Sequence, residues 1–174
     1  MTLVAGTAFG AAEASEWQLV PDSSMVRFIG VQEGSAFRGR FQNFTAMINF
    51  DPANPTSGKI IGVVKMDSAN TGDAERDATL LDEDWFDPGN HPESRFESER
   101  IEQLEDGTFA AHGQLTIIGN SQPVTMSFEF EVSGSNAQFS GSFDIKRLDF
   151  GVGWDATNWI DDEVGVQVEL DLQQ

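Results

Sequence analysis

The chain has 174 residues, enough for one domain with a substantial core, and its 10 basic and 29 acidic residues give a net charge of −19. This charge disfavours nucleic acids and anionic lipid surfaces as partners, because both carry dense negative charge. The sequence contains no cysteine, which excludes disulfides and thiolate sites. Since no apolar stretch approaches the roughly 20 residues of a membrane-spanning helix, we also expect no stable membrane insertion.

The first residues carry a pattern typical of exported proteins. Residues 1–14 are mostly small and apolar and end in Ala12-Glu13-Ala14, which fits the small-x-small pattern before a signal cleavage site. A basic segment is missing from this stretch, so the alternative is a flexible tail. We expect a periplasmic or secreted protein in which residues 15–174 form the domain.

The first third of the chain alternates apolar and polar residues, as strands with one buried face do. Short runs at 17–20 and 24–32 precede a long run at 37–51, and another follows at 58–67. In the long run, apolar residues occupy odd positions at first and even positions later. This change of parity predicts a β-bulge near residues 42–43, where a barrel strand would bend.

The stretch 68–92 has a different character, because acidic residues crowd it and the alternation disappears. Residues 74–81 have a helical composition, so we predict one short helix within a long connection. A connection of this length in a compact domain is usually functional or a lid. The apolar side chains expected to anchor it are Leu80, Leu81, Trp85 and Phe86.

Alternation resumes and continues to the end of the chain. Strands are predicted at 95–104, within 109–132, at 137–146 and at 163–172. Turn-forming residues at 119–123 divide the second of these runs into a hairpin. About eight to nine strands, one short helix and no βαβ spacing indicate an all-β fold, an antiparallel barrel or sandwich.

Catalytic signatures are scarce. Only His91 and His112 can act as imidazole bases, and the common nucleophile-elbow, zinc-protease, dinucleotide and P-loop motifs are absent. Chance pairs of carboxylates are unavoidable among 29 acidic residues. We therefore expect no enzyme, no metal and no catalytic cofactor. The alternative is an enzyme acting on an amphiphile or a sugar, with His91, Asp77 and Glu75 in the acidic connection as its candidate residues.

The aromatic composition points to a dry interior. The chain has 14 Phe, 4 Trp and 5 Met but no Tyr, which suits a space that cannot satisfy polar groups. An eight-stranded barrel either fills with side chains or holds one small ligand. Gly30, Gly39 and Gly141 share a face with large apolar residues, where they either leave a slot for an acyl-like chain or relieve curvature. A structural β-sandwich with a filled core is a third hypothesis.

Six motifs occur in order along the chain. They are Ser24-x-Val26-x-Phe28, FRGRFQNF (37–44), NTGDAERDATL (70–80), WFD with HPESRF (85–87 and 91–96), GQLTIIGNSQPV (113–124) and RLDFGVG (147–153). With them the sequence resembles the YceI-like, polyisoprenoid-binding family from about Trp17 to Leu172.

The resemblance implies a lipocalin-like antiparallel barrel of about eight strands in an exported bacterial protein that often pairs as a homodimer. Its interior would hold a hydrophobic small molecule with a prenyl chain, either a prenylated quinone such as ubiquinone or a polyprenyl alcohol or phosphate. The negative surface favours a neutral quinone, because a dianion would enter against the field.

The side chains expected to line this tunnel are large, apolar and inward by parity or by position in the connection. They are Phe28, Phe41, Val64, Met66, Leu80, Leu81, Trp85, Phe86, Phe96, Leu115, Ile117, Met126, Phe128, Phe130, Phe143 and Ile145. Arg76 and Asp77 are the candidate polar pair at the tunnel mouth. The alternative role of this pair is a salt bridge that fixes the helix to the barrel.

Overall fold

The computed structural model describes residues 15–174, and the predicted signal peptide or tail of residues 1–14 lies outside them. The described residues form strands joined by short turns, with one α-helix, α1 (Ala74–Leu80). The strands are β1 (Glu16–Leu19), β2 (Met25–Gln32), β3 (Ser35–Phe41), β4 (Phe44–Asn49), β5 (Lys59–Lys65), β6 (Ala69–Asn70), β7 (Glu93–Gln103), β8 (Phe109–Ile117), β9 (Asn120–Ser133), β10 (Asn136–Lys146) and β11 (Glu163–Gln173). Short 3₁₀ turns lie at Pro21–Ser23, Pro55–Ser57, Met66–Ser68 and Arg147–Phe150.

The strands form one antiparallel sheet that closes into a barrel. Hydrogen-bonded neighbours run β1-β4-β5-β7-β8-β9-β10-β11, and β11 pairs back with β1. β2 also pairs with β11, and β3 pairs with β2, so β1 with β2 and β3 with β4 are the halves of two interrupted strands. The prediction of a lipocalin-like barrel of about eight strands is confirmed. The predicted parity change near residues 42–43 is the break between β3 and β4.

The hairpin of β8 and β9 turns earlier than predicted. The turn is formed by Ile118 and Gly119, whose φ angles of 41° and 78° are both positive, as a type I′ turn requires. β9 begins at Asn120, and Pro123 lies inside it, opposite Gln114. Proline is tolerated there because β9 pairs with β10 only from Ser127 onward, which leaves Pro123 with a neighbouring strand on one side.

One end of the barrel, which we call the filled end, is packed with aromatic rings. The ring centroids of Phe50 and Phe109 are 5.0 Å apart, and those of Phe128 and Phe139 are 4.8 Å apart. Trp17 closes this end, since its indole N–H donates to the carbonyl of Phe50 at 2.9 Å. These rings form the core that holds β1, β4 and β8 to β10 together.

The long connection covers the opposite end, which we call the hollow end. Asp73 caps α1, where its carboxylate accepts hydrogen bonds from the backbone N–H groups of Arg76 at 2.9 Å and Glu75 at 3.0 Å. The hydrogen bond from Arg76 is the main cause that lowers the pKa of Asp73. Leu80 at the end of α1 is buried. Within residues 15–174, no helix is long and apolar enough to cross a membrane.

Candidate functional site

The hollow end contains a cavity of about 180 Å³. Its wall consists mainly of the inward side chains of the strand halves remote from Trp17, and it extends to Ile48 and Phe139 at the border of the filled end. α1 and the segments after it lie over the opening. The wall is almost entirely apolar. An apolar cavity of about 150 Å³ in a reference protein stays dry and holds benzene, so this cavity admits a ring or a short branched chain without rearrangement.

Most of the predicted tunnel residues line this cavity. They come from both interrupted strands, from β5 and β7 to β10, and from the connection, and they surround the space from all sides. The predicted residues found in the wall are Phe28, Phe41, Val64, Met66, Leu80, Trp85, Phe86, Phe96, Leu115, Ile117, Met126, Phe143 and Ile145.

The prediction was wrong for Leu81, Phe128 and Phe130, which do not line the cavity. Phe128 and Phe130 face inward as their parity requires, but they lie lower on β9 than Met126 and belong to the filled end. Alternation shows which face of a strand a side chain is on, but it does not show how far along the barrel axis the residue lies. Leu81 is 46% exposed because the neighbouring Leu80 takes the inward direction, and successive helical residues point about 100° apart.

Three glycines that were candidates for a ligand slot are occupied by aromatic rings. A Cβ atom on Gly30 would lie 2.6 Å from the ring of Phe37, its cross-strand partner. A Cβ atom on Gly39 would lie 2.2 Å from the ring of its partner Phe28, and one on Gly141 would lie 2.8 Å from Phe139. These glycines therefore make room for phenylalanine rings and leave no slot for a ligand.

The free space lies beside Gly62 on β5. No heavy atom lies within 4 Å of a Cβ atom placed on Gly62, although the residue is in the cavity wall. Its ladder partners are Ala46 and Phe96, so one of its two neighbours is also small. The sequence did not single out Gly62, because apolar residues occupy both faces of β5 and hide its parity.

Arg147 is a charged residue of the cavity wall that the sequence prediction missed. It is only 3% exposed, and all its donors reach backbone carbonyls of the segment after it. The acceptors are Asp161 at 2.9 Å, Val152 at 2.8 Å, Gly153 at 2.5 Å, Ile160 at 2.8 Å and Ala156 at 3.4 Å. Burial lowers the pKa of Arg147, and the carboxylates of Asp162, Asp155 and Asp161 act in the opposite direction. The guanidinium therefore organises the cover of the cavity and has no donor left for a ligand.

Arg76 and Asp77 do not line the cavity and do not pair with each other. The Nε and Nη2 atoms of Arg76 each donate to the side-chain oxygen of Gln32 at 3.2 Å, and its guanidinium lies 4.3 Å from the ring centroid of Phe37. The carboxylate of Asp77 accepts hydrogen bonds from the backbone N–H and hydroxyl of Thr71 at 2.7 and 2.6 Å. The two side chains are bridged by Thr71, whose hydroxyl also accepts a hydrogen bond from Nη1 of Arg76 at 3.4 Å, so both residues fix α1 to its surroundings.

The candidate residues of the enzyme alternative do not converge. The ring of His91 lies against Gly119, where it would be 3.3 Å from an added Cβ atom. Among the residues that the structure describes, no hydrogen bond or ion pair joins His91 to Asp77 or Glu75. No group of three or more metal-ligating side chains occurs within residues 15–174 either.

A relay of side chains does exist on the outside of the barrel. The Nε2 atom of His112 lies 2.7 Å from Glu102, and its Nδ1 atom lies 2.9 Å from the hydroxyl of Thr125. Hydrogen bonding with His112, followed by Arg100, lowers the pKa of Glu102. The relay lies on the outer face of β7 to β9, away from the cavity.

Comparison with known proteins identifies the family. The profile of the YceI-like domain matches residues 17–172. The chain belongs to the YceI-like family. Among curated relatives of this YceI-like protein, a UPF0312 protein of Pseudomonas paraeruginosa is 32% identical over 123 residues, which are 67% of this chain and 64% of the relative. The match thus spans slightly less than two thirds of that relative's length. A UPF0312 protein of Vibrio cholerae is 27% identical over 140 residues, 76% of this chain and 74% of that protein.

Solved structures share the YceI-like barrel. BcnA of Burkholderia cenocepacia superposes with a TM-score of 0.85 at 29% identity, over 88% of this chain and 99% of BcnA. The YceI protein of Campylobacter jejuni gives 0.73 at 26% identity, over 80% and 86% of the two chains. A polyisoprenoid binding domain from Saccharophagus degradans, implicated in plant cell wall breakdown, gives 0.70 at 14% identity, over 92% and 98%. The last likeness shows the fold alone.

Proposed function

We propose that this YceI-like protein binds and carries a long-chain isoprenoid lipid in the barrel cavity, and that it is not an enzyme. The observation that carries the proposal is the apolar cavity at the hollow end, next to a filled end that already supplies a packed core. A protein that needed only stability would gain by filling the space, because each buried CH₂ group contributes roughly 0.8 kcal/mol. The polyisoprenoid binding domain with the same fold supports this ligand class.

The polar groups of the wall favour a hydrocarbon chain over a polar ligand inside the cavity. Arg147 uses its donors on backbone carbonyls, and the hydroxyl of Ser94 donates to the carbonyl of Thr116 at 2.9 Å. A headgroup drawn into the cavity would lose its hydrogen bonds to water without replacement, which costs free energy. The chain therefore enters and the headgroup stays at the opening.

The acidic cover favours a neutral headgroup. Asp82, Glu83 and Asp84 follow α1, and Asp155 and Asp161 lie in the segment that Arg147 organises. These carboxylates repel a pyrophosphate but not a quinone ring. A prenylated quinone such as ubiquinone is thus our preferred ligand, and a polyprenyl alcohol or phosphate is the other headgroup class.

A long chain requires the aromatic side chains between wall and cover to move. The ring centroids of Phe28 and Phe41 are 5.4 Å apart, and that of Phe86 lies 6.3 Å from Phe28 and 6.0 Å from Phe41. These three rings pack on one another in the wall of the cavity. Displacing Phe86, which belongs to the connection and not to a strand, would lengthen the cavity without breaking the barrel.

The proposal includes export to the periplasm or exterior, supported by the Ala12-Glu13-Ala14 pattern, and assembly as a homodimer, as the family resemblance implies. Cell fractionation of the full sequence tests the first point, with recovery in the cytoplasm as the contrary result. Sedimentation equilibrium tests the second.

The deciding experiment is organic extraction of the protein after purification from a bacterial host, followed by mass spectrometry. We expect a prenyl lipid, recovered chemically unchanged after prolonged incubation, and saturable binding of added ubiquinone. A protein that yields no lipid and has no affinity for ubiquinone or polyprenol would refute the proposal. Recovery of a cleaved or oxidised product would favour the enzyme alternative.

A further inference from the structure

The outer side of the hairpin formed by β2 and β3 carries cations among apolar side chains and no carboxylate. We call this surface the basic outer face. Alternation along the two strands points its members away from the cavity, and the carboxylates at its borders are Glu33, Asp144, Asp161 and Glu169. Its members are Met25, Arg27, Ile29, Val31, Ala36, Arg38 and Arg40.

Among residues 15–174 the arginines of this face have no acidic partner, although the chain carries 29 acidic residues. Elsewhere, Lys59, Lys65, Arg95 and Arg100 each form an ion pair with a glutamate. No ion pair within residues 15–174 includes Arg27, Arg38 or Arg40.

Two features of Arg27 raise the free energy of the protein when this face has no partner. Arg27 lies directly opposite Arg40 in the ladder, and like charges at such a position destabilise a sheet. The Nε atom of Arg27 is also buried without a hydrogen-bond partner. An anionic partner on this face would relieve the repulsion between the two guanidinium groups.

The net charge of −19 does not prevent such an encounter. At physiological ionic strength, screening reduces the interaction of exposed charges beyond about 8 Å. The potential felt by a partner in contact with the face is therefore determined by Arg38, Arg40 and their immediate neighbours. The expectation from net charge, that anionic surfaces are disfavoured, applies to the rest of the molecule.

The apolar part of the face favours a bilayer over an acidic polypeptide. Residues 159–161 continue the sheet beside the end of β2, where the N–H of Glu33 donates to the carbonyl of Trp159 at 2.8 Å. Trp159 is 46% exposed, and its backbone lies beside the end of β2. Tryptophan and arginine beside apolar side chains are typical of surfaces that rest at the lipid headgroups.

We propose that the basic outer face docks the protein on an anionic lipid bilayer. The inner side of the same hairpin, with Phe28 and Phe37, lines the cavity, so docking brings the cavity wall next to the membrane. This docking is a second property of the protein, and it does not depend on the identity of the ligand in the cavity. Phosphatidylglycerol supplies the anionic charge in our test, and the cations contact its phosphate.

The test is co-sedimentation with vesicles of phosphatidylglycerol and phosphatidylcholine in equal parts, compared with phosphatidylcholine alone. We expect binding to the anionic vesicles only, and weaker binding as salt is raised. Since each arginine at such a surface contributes about a fivefold factor, R38Q/R40Q should weaken binding about 25-fold. The matched control R95Q/R100Q removes the same charge from β7 and should bind nearly as the parent protein does.

A third variant, Ala36→Asp, places a carboxylate at the exposed turn end of the face, opposite Val31, and should weaken binding about fivefold. Thermal unfolding verifies that each variant is folded. Equal losses for R38Q/R40Q and R95Q/R100Q would overturn the proposal. So would absence of vesicle binding by the parent protein, or binding of polyglutamate through Arg38 and Arg40 without binding of vesicles, which would assign the face to an acidic polypeptide.

Discussion

The filled end and the hollow end are built from the same strands with the same alternation, yet only one is packed. At the filled end, Phe128 stacks on Phe139 and on Phe109, with ring centroids 4.8 and 5.4 Å apart. At the hollow end, Phe96 and Phe143 are 6.3 Å apart, and Gly62 faces open space. The difference shows that alternation decides which side chains point inward, whereas the residues across the barrel decide whether the interior is full.

The two ends of the barrel also have different roles. The filled end buries the rings that stabilise the barrel, and the hollow end keeps apolar surface without protein contacts. Such a surface reduces stability relative to a filled core, as binding sites commonly do. Each of the following experiments separates the two ends.

The largest expected effect is at the filled end. Phe128→Ala should lower the free energy of unfolding by about 4 kcal/mol, because a close-packed ring leaves a cavity that its neighbours cannot fill. Phe143→Ala, the matched change at the hollow end, should cost about 2 kcal/mol, since Phe143 is only half-buried and already borders free space. Urea unfolding measures both. Equal losses would contradict the division into two ends.

The next effect concerns the cover of the hollow end. Arg147→Met should lower the free energy of unfolding by about 3 kcal/mol, because several carbonyls lose their donor. Hydrogen exchange should increase at the amides of residues 148–162 and stay unchanged at the filled end. Arg100→Met is the control, since Arg100 is exposed and bonds only one glutamate. Exchange that rises throughout the barrel would show that Arg147 supports the whole fold.

Gly62→Leu tests the hollow end with little expected effect on stability. The added side chain enters the free space and removes room for about two CH₂ groups of a ligand, which corresponds to roughly tenfold weaker binding. Gly89→Leu is the matched control, because a Cβ atom there also meets no neighbour and Gly89 is exposed outside the cavity. Titration with ubiquinone measures both variants. Unchanged affinity in Gly62→Leu would place the ligand elsewhere.

The smallest effect is the response to acid. Hydrogen bonds from Lys59 and then Arg95 lower the pKa of Glu97, and those with His112 and then Arg100 lower the pKa of Glu102. A depressed folded-state pKa means that the stabilisation is present above the unfolded value of about 4.3 and is lost as the pH falls through the folded value.

Thermal unfolding between neutral pH and about pH 4 should therefore show a slight loss of stability, and Glu97→Gln with Glu102→Gln should reduce that loss. Ligand affinity should stay constant over the same range, because Arg147 is the only ionisable side chain among the described residues that line the cavity. Affinity that follows the carboxylate titration would contradict an apolar mode of binding.

The sequence predicted the barrel and most of the cavity wall because both depend on local alternation and on the six motifs. It did not show that Met126 lines the cavity and Phe128 does not, since both face inward and differ only in their position along β9. It assigned Pro123 to a turn because it does not reveal that β9 has one neighbour there. The contacts of Arg147 join residues that meet only after the chain folds, so no local sequence pattern predicts them.

The placement of the tryptophans has a practical consequence for spectroscopy. Trp17 is enclosed at the filled end, Trp85 borders the cavity, and Trp154 and Trp159 are exposed to solvent. Because the chain has no tyrosine, its near-ultraviolet emission comes essentially from these four indoles. A variant that keeps Trp85 alone would report quinone entry through quenching. One that keeps Trp17 alone would report melting of the packed rings, so two optical signals would follow occupancy and unfolding independently.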